Sequence, residues 1–203
     1  ANLCLKWDVY AITDEIYEHI VYDGLKHISL ASIDGMAERT VTINSISKTY
    51  SVTGWRVGWA IANSKITEKI RKVHDFFTVG APSPFQYAAA FILNFEDDYY
   101  KKLAADYELS RNHIIETLSN SVFVPYIPHG AYYVIARVDE LFDRIKAKDD
   151  FDFSRKLLQK TKVATVPGFS FYSEKKLITK TVRFAFCKKM ETLEQLRKLL
   201  SEL

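Results

Sequence analysis

The sequence predicts an α/β chain in two parts, and three observations carry that prediction. Short β-like runs alternate with amphipathic helical stretches along most of the 203 residues. A long amphipathic stretch over residues 97–120 lies near the middle, with Leu103, Tyr107, Ile114 and Leu118 along one stripe. Beyond it the chain returns to strands and helices, so residues 97–120 read as a connector between two α/β lobes. No internal repeat is visible.

In chain order, Leu3 to Trp7 reads as a helix end feeding a short buried strand, Val9 to Thr13, followed at once by Asp14. After an apolar-rich stretch from Ile16 to Tyr22, Asp23-Gly24 marks a turn. Thr40 to Ser45 is a second strand, rich in branched residues, and Val57 to Ala62 a third. Their link is too short for a parallel crossover and has no helical period, so the two are expected to pair antiparallel. Ser64 to His74 turns helical, with Ile66, Ile70 and Val73 on one face. Pro82 and Pro84 punctuate a loop before an apolar helix over Phe85 to Asn94. Pro125 and Pro128 break the pattern after the connector. Then come a strand over Ala131 to Val138, a helix near Phe153 to Lys160, and strands over Val163 to Val166 and Thr181 to Phe186. Thr192-Leu193-Glu194-Gln195 has the spacing of a capping box, and predicts a last helix that faces a core through Leu193, Leu196, Leu200 and Leu203.

Composition narrows the function classes. Lys+Arg 28 against Asp+Glu 25 gives a net charge of +3, too small and too scattered an excess for a nucleic-acid groove. No apolar run reaches the ~18 residues of a membrane span. Cys4 and Cys187 offer neither a metal motif nor a disulfide framework, which points to a reducing, cytoplasmic setting. The five histidines show no ligand spacing, so no metal is expected. The opening Ala1-Asn2-Leu3-Cys4 reads as the inside of a helix of something longer.

The most specific run is Ser45-Ile46-Ser47-Lys48-Thr49-Tyr50-Ser51-Val52-Thr53-Gly54-Trp55-Arg56-Val57-Gly58. It sets a lysine just past a strand end and an arginine eight residues on, at the same sheet edge, among small hydroxyl side chains. A lysine held there suits Schiff-base chemistry, and arginine with serine suits a phosphate. An isolated pair of this kind is most simply a solvated surface pair. Gly54 and Gly58 are expected to serve tight turns and close packing.

The whole run resembles the active-site lysine segment of class I/II aminotransferases, the fold-type-I pyridoxal-phosphate enzymes. Other segments are similar to that family in the same order. They are Thr13-Asp14-Glu15-Ile16-Tyr17-Glu18 upstream, then Pro128-His129-Gly130-Ala131-Tyr132-Tyr133, Val166-Pro167-Gly168-Phe169 and Val182-Arg183-Phe184-Ala185-Phe186. The resemblance implies the later part of a mostly parallel large-domain sheet with helices on both faces (residues 1–108) and a smaller C-terminal α/β domain (residues 109–203). It implies pyridoxal 5′-phosphate as cofactor, an amino acid and a 2-oxo acid as substrates, and a homodimer in the full-length protein.

Carried over residue by residue, the resemblance makes Lys48 the Schiff-base lysine and proton carrier, Asp14 the partner of the pyridine nitrogen, and Tyr17 the partner of the ring's phenolic oxygen. Ser45 and Arg56 would hold the phosphate, with Ser47 a lower-ranked hydroxyl. Arg183 would anchor the substrate α-carboxylate through a two-bond fork, or else pair with a structural carboxylate. Tyr132, Tyr133 and Phe169 fall in segments near the substrate in this family. The family's N-terminal arm, its phosphate-binding backbone amides, its ring-stacking aromatic and its ring-oxygen asparagine are expected upstream of Ala1, so the chain reads as the later half of such a protein.

His27 to Ser32, Gly35-Met36, Glu38-Arg39-Thr40 and Arg183-Phe184 look most like the kynurenine and glutamine transaminases, which act on aromatic, glutamine-type and sulfur-containing amino acids. Two alternatives stay open: a carbon–sulfur β-lyase on the same scaffold, and a non-catalytic aminotransferase-like domain of a transcription regulator.

Overall fold

A computed structural model describes residues 1–174 and 177–203. The chain divides into two compact units, Ala1–Leu103 and Ala104–Leu203.

The first unit opens with helix α1 (Asn2–Trp7), which Asp8 ends in the left-handed region at φ 47°. Strand β1 (Ala11–Asp14) follows. Residues 15–39, with 3-10 turns at Leu30–Ser32 and Ala37–Arg39, are long enough to carry the chain over to a parallel neighbour, β2 (Thr40–Ser45). Strand β3 (Gly58–Ile61) returns antiparallel, as its short connection requires. The sheet order is β1-β2-β3, with Asp14 opposite Ile43 and Ser45 opposite Gly58. The end of the parallel pair and the start of β3 therefore share one sheet edge, where open α/β sheets bind ligands.

Strand β1 differs from expectation. It begins at Ala11 rather than Val9, because the left-handed Asp8 and two irregular residues separate it from α1. Nor is it buried: as an edge strand it leaves Ile12 73% exposed. Burial falls on the central strand, where Thr40, Val41, Thr42 and Asn44 are all buried.

Helix α2 (Ser64–Phe77) starts at Asn63, whose side chain accepts the Ile66 N–H at 3.0 Å. Its expected apolar face is only half-covered at Ile66 and Ile70, and Val73 is exposed. Helix α3 (Ser83–Ile92) has Pro84 in its first turn and brings Ala89 onto a core formed with Ile46 and Val57. Trp55 stacks on Phe85 at 4.8 Å between ring centroids. Helix α4 (Asp97–Ser119) runs through the division between the units.

In the second unit, Ile114 and Leu118 of α4 are fully buried. The sheet is antiparallel with order β4-β5-β7-β6, formed by β4 (Val124–Pro125), β5 (Tyr133–Arg137), β6 (Val166–Pro167) and β7 (Thr181–Ala185). Helices α5 (Asp139–Arg144), α6 (Asp150–Thr161) and α7 (Met190–Leu200) complete it. Strand alternation is clear on β7: Val182 and Phe184 are buried, while Thr181 and Arg183 lie on the opposite face. Phe184 packs edge-on to Phe123, and Phe142 of α5 stacks on Phe153 of α6.

Two expectations need correction here. Residues 163–165 are not strand, because α6 ends on the left-handed Lys162 and the Val163 N–H turns back to Thr161 Oγ1. Strand β6 pairs only at Val166 and Pro167. The capping-box spacing at Thr192 does not mark a helix start, since α7 begins at Met190 and Thr192 sits in its first turn. Leu193 and Leu200 are buried as expected. Both cysteines are free thiols, and no helix among the described residues is long and apolar enough to cross a membrane.

Candidate active site

The segment after β2 folds as a chain of tight turns that turns its polar groups toward one space. The Ser47 N–H donates to Ser45 Oγ at 3.1 Å, and Thr53 Oγ1 donates to the Ser47 carbonyl at 3.0 Å. The Tyr50 N–H bonds to the Ile46 carbonyl and the Ser51 N–H to that of Lys48. Arg56 adopts φ 57°, in the left-handed region, and its Nη1 donates to the Thr53 carbonyl at 2.9 Å. From below, the Tyr99 hydroxyl donates to the Thr49 carbonyl at 2.8 Å, and Tyr50 stacks on Tyr99. Burial raises the Tyr50 phenol far above its ordinary value, helped by its bond to Tyr100, so it stays a neutral hydroxyl.

These turns border a cavity of about 690 Å³ whose lining includes Ser45, Ser47, Lys48, Thr53 and Arg56. Arg71 and His74 of α2 line it as well. Lys48, Arg56 and Arg71 with the hydroxyls of Ser45, Ser47, Thr53 and Thr67 around one space suit a phosphate dianion, and the lysine amine among them suits an aldehyde. Gly58 forms part of the wall: a Cβ there would lie 2.9 Å from the Asn44 carbonyl oxygen and 3.0 Å from Ser45 Cβ. Its expected close-packing role therefore holds. Gly54 has no such role, with nothing within 4 Å of a Cβ and no left-handed φ.

Asp14, at the end of β1, and Tyr17, beyond it, are outside the lining of this cavity, to which Ile16 between them contributes. Asp14 is exposed, and its Oδ1 accepts the Ile16 N–H at 3.3 Å. Tyr17 is half-buried in the turn that follows.

Glu15, which sequence reasoning assigned no role, is 7% exposed. It accepts bonds from Thr13 Oγ1 (2.8 Å), Ser29 Oγ (3.1 Å) and the Leu30 N–H (3.3 Å), and pairs with His27 Nε2 at 2.9 Å. Burial pushes its carboxyl up, but these partners together hold it below its ordinary value. The segment 27–30 is thereby stapled to the strand end that carries Asp14. Nearby, Asn44 Nδ2 donates to Glu18 at 2.6 Å, and the adjacent His19 leads in holding the Glu18 carboxyl low.

In the second unit, Arg183 lies between two rings, its Cζ 4.8 Å from the Tyr133 centroid and 4.7 Å from that of Phe171. Among the described residues no carboxylate pairs with it. It borders a cavity of about 540 Å³ together with Tyr126, Ile135, Gly168 and Tyr172. Sequence reasoning missed Arg71, His74 and Phe171. The only local signal for the first two was their i, i+3 spacing on a predicted helix.

A lysine, two arginines and small hydroxyl side chains thus border one cavity of an α/β sheet. Comparison narrows this to a family: residues 1–200 match the model of aminotransferase class I and II, and the chain belongs to that family. It is 34% identical over 208 residues to kynurenine–oxoglutarate transaminase 3 of Mus musculus, covering 96% of this chain and 46% of that protein. Among solved structures, it matches N-succinyldiaminopimelate aminotransferase from Mycobacterium tuberculosis with a TM-score of 0.91 at 32% identity, over all of this chain and 52% of that one. It matches an aromatic aminotransferase from Pyrococcus horikoshii OT3 with a TM-score of 0.87 at 32% identity, covering 99% of this chain and 52% of that one. The chain spans about half the length of the curated relatives it matches.

Proposed function

We propose that the protein is a pyridoxal-phosphate-dependent aminotransferase that moves an amino group from an aromatic, glutamine-type or sulfur-containing amino acid to a 2-oxo acid. The observation that carries this reading is the shared cavity of Ser45, Ser47, Lys48 and Arg56 at the sheet's carboxyl edge. Relatives named kynurenine–oxoglutarate transaminases support the substrate class. In this reading residues 1–108 are the later part of the large cofactor domain, residues 109–203 are the small domain, and the full-length protein works as a homodimer.

When bound, the cofactor supplies an aldehyde for an amine and a ring that accepts the electron pair left at the substrate α-carbon. Ser45 and Arg56, with Ser47, hold its phosphate by charge-assisted hydrogen bonds. Lys48 Nζ would hold the aldehyde and, once freed by the substrate amine, would carry the proton from the substrate α-carbon to the cofactor's aldehyde carbon. Asp14 keeps a proton on the ring nitrogen, and Tyr17 donates to the ring oxygen. Arg183 meets the substrate carboxylate with its guanidinium fork, which fixes the α-carbon's orientation.

Borohydride reduction of the loaded protein followed by peptide mapping tests the assignment. Label is expected on Lys48, and Lys48→Ala should lose both the label and the transfer reaction. Label on a different lysine would overturn it. Product analysis tests the reaction class: an added 2-oxo acid should yield a new amino acid, whereas pyruvate and ammonia formed without an acceptor would indicate β-elimination.

A further inference from the structure

Asp150 is 1% exposed at the start of α6, far in sequence from the groups it binds. Its oxygens accept the N–H groups of Phe169 (3.0 Å), Thr179 (3.1 Å) and Lys180 (3.0 Å), and the Thr179 hydroxyl. A buried carboxylate with this many donors ties both ends of the segment between β6 and β7 to one helix terminus. The two tied ends bracket the rings and cation described above. Phe169 lies two residues before Phe171 in the same 3-10 turn, Gly168–Phe171. Thr179 Oγ1 bonds to Thr181 Oγ1 at 2.7 Å, and Thr181 lies two residues before Arg183 on the same face of β7. A second observation shows how tightly this junction closes: a Cβ at Gly168 would lie 2.0 Å from Thr181 Oγ1 and 2.2 Å from Thr179 Oγ1.

We propose that Asp150 is a positioning residue for carboxylate recognition by Arg183, clamping the turn that carries Phe171 onto the start of β7 so that the guanidinium is held between Phe171 and Tyr133. The inference rests on the reading of Arg183 as the carboxylate anchor. A guanidinium restrained between two rings keeps its edge donors in one plane, so less rotamer freedom is lost when a carboxylate arrives. Releasing the clamp leaves the cation in place but lets it wander.

The test is calorimetric binding of 3-phenylpropionate, a carboxylate without an amine, to the pyridoxal-phosphate-loaded protein. In Asp150→Asn an amide NH₂ must face a backbone N–H or the Thr179 hydroxyl whichever way the side chain is turned, so the clamp opens at one side. Its affinity is expected to fall about tenfold, with KM for the amino acid and the 2-oxo acid rising together and kcat changing roughly twofold or less. The resting cofactor absorbance should be unchanged. Arg183→Met runs in parallel. If it loses binding while Asp150→Asn keeps it, Asp150 is structural only and the inference falls, leaving the proposed function standing. If Arg183→Met binds as well as the parent, the carboxylate reading of Arg183 fails and the inference with it. A lowered melting temperature in Asp150→Asn with unchanged affinity likewise overturns the proposal. Should Asp150→Asn not fold, Thr179→Val removes one donor to the clamp and decides the matter: roughly threefold weaker binding supports it, and unchanged binding overturns it.

Discussion

Gly58→Ala offers a sharp test of how the site is built, because the cost can be read from distances. The new Cβ would sit 2.9 Å from the Asn44 carbonyl oxygen, a backbone atom, and 3.0 Å from Ser45 Cβ. Neither neighbour can rotate away: the Asn44 oxygen belongs to central strand β2, and Ser45 is paired with Gly58 in the ladder. The strands must part by several tenths of an ångström, a strain of overpacking of about 1–3 kcal/mol. For a chain of this size that corresponds to a melting temperature lower by roughly 2–10 °C. The displaced atoms include Ser45, so the affinity for the phosphate of the cofactor should fall too. Gly54→Ala is the internal control, since a Cβ there meets nothing within 4 Å and the backbone is not left-handed. It should be neutral or slightly stabilising, by about 0.4–1 kcal/mol, through the lower freedom of the unfolded chain. Thermal unfolding and cofactor titration of both variants measure the contrast. Equal melting temperatures for the two would refute the close-approach argument.

Two further outcomes are expected. Arg183→Lys keeps the charge but loses the fork, so kcat/KM should drop by about thirtyfold or more, to a similar degree for two unlike amino acids; a loss confined to one side-chain class would make Arg183 a specificity residue instead. Glu15 has a carboxyl held below its ordinary 4.5, so the stability it contributes is full above that value and is lost as pH falls through its folded-state value. Glu15→Gln should therefore be destabilised by about 1–3 kcal/mol at neutral pH yet show a shallower decline below pH ~4.5 than the parent, as followed by urea unfolding at stepped pH; parallel acid limbs would refute the assignment.

Where local chemistry decides structure, the sequence was readable. Strand β2 followed from its branched residues, its antiparallel pairing with β3 from a link too short for any crossover, and the connector helix from its apolar stripe. Tertiary context decided the rest. Strand β4 contains Pro125, which reads as a breaker but is tolerated because that strand lies at the sheet's edge. Helix α5 is six residues long, too short for a helical period to show. Helix α2 offers an apolar stripe to the sequence reader, yet beside Ile70 of that stripe the polar Thr67, Arg71 and His74 also line the cavity, because packing rather than hydrophobicity chooses which side of a marginally buried helix is used.

Two of the acidic pairs show the same limit more closely. Asp14-Glu15 and Asp149-Asp150 are each adjacent carboxylates, alike in sequence, but the structure separates them completely. Successive residues at a strand end point to opposite sides, so Asp14 stays exposed beside the site while Glu15 turns inward to gather its four partners. At a helix start, Asp149 caps the Asp152 N–H at 2.7 Å and leaves Asp150 to face the core. In both pairs the buried member binds residues far along the chain: apart from Thr13, twelve to fifteen positions away for Glu15, and nineteen to thirty for Asp150. Only folding brings those donors together, so no local pattern can announce them. The exposed acid can then be read by motif and the buried one only by geometry. That is the physical reason a buried acid held by distant donors escapes a reading that works from local motifs.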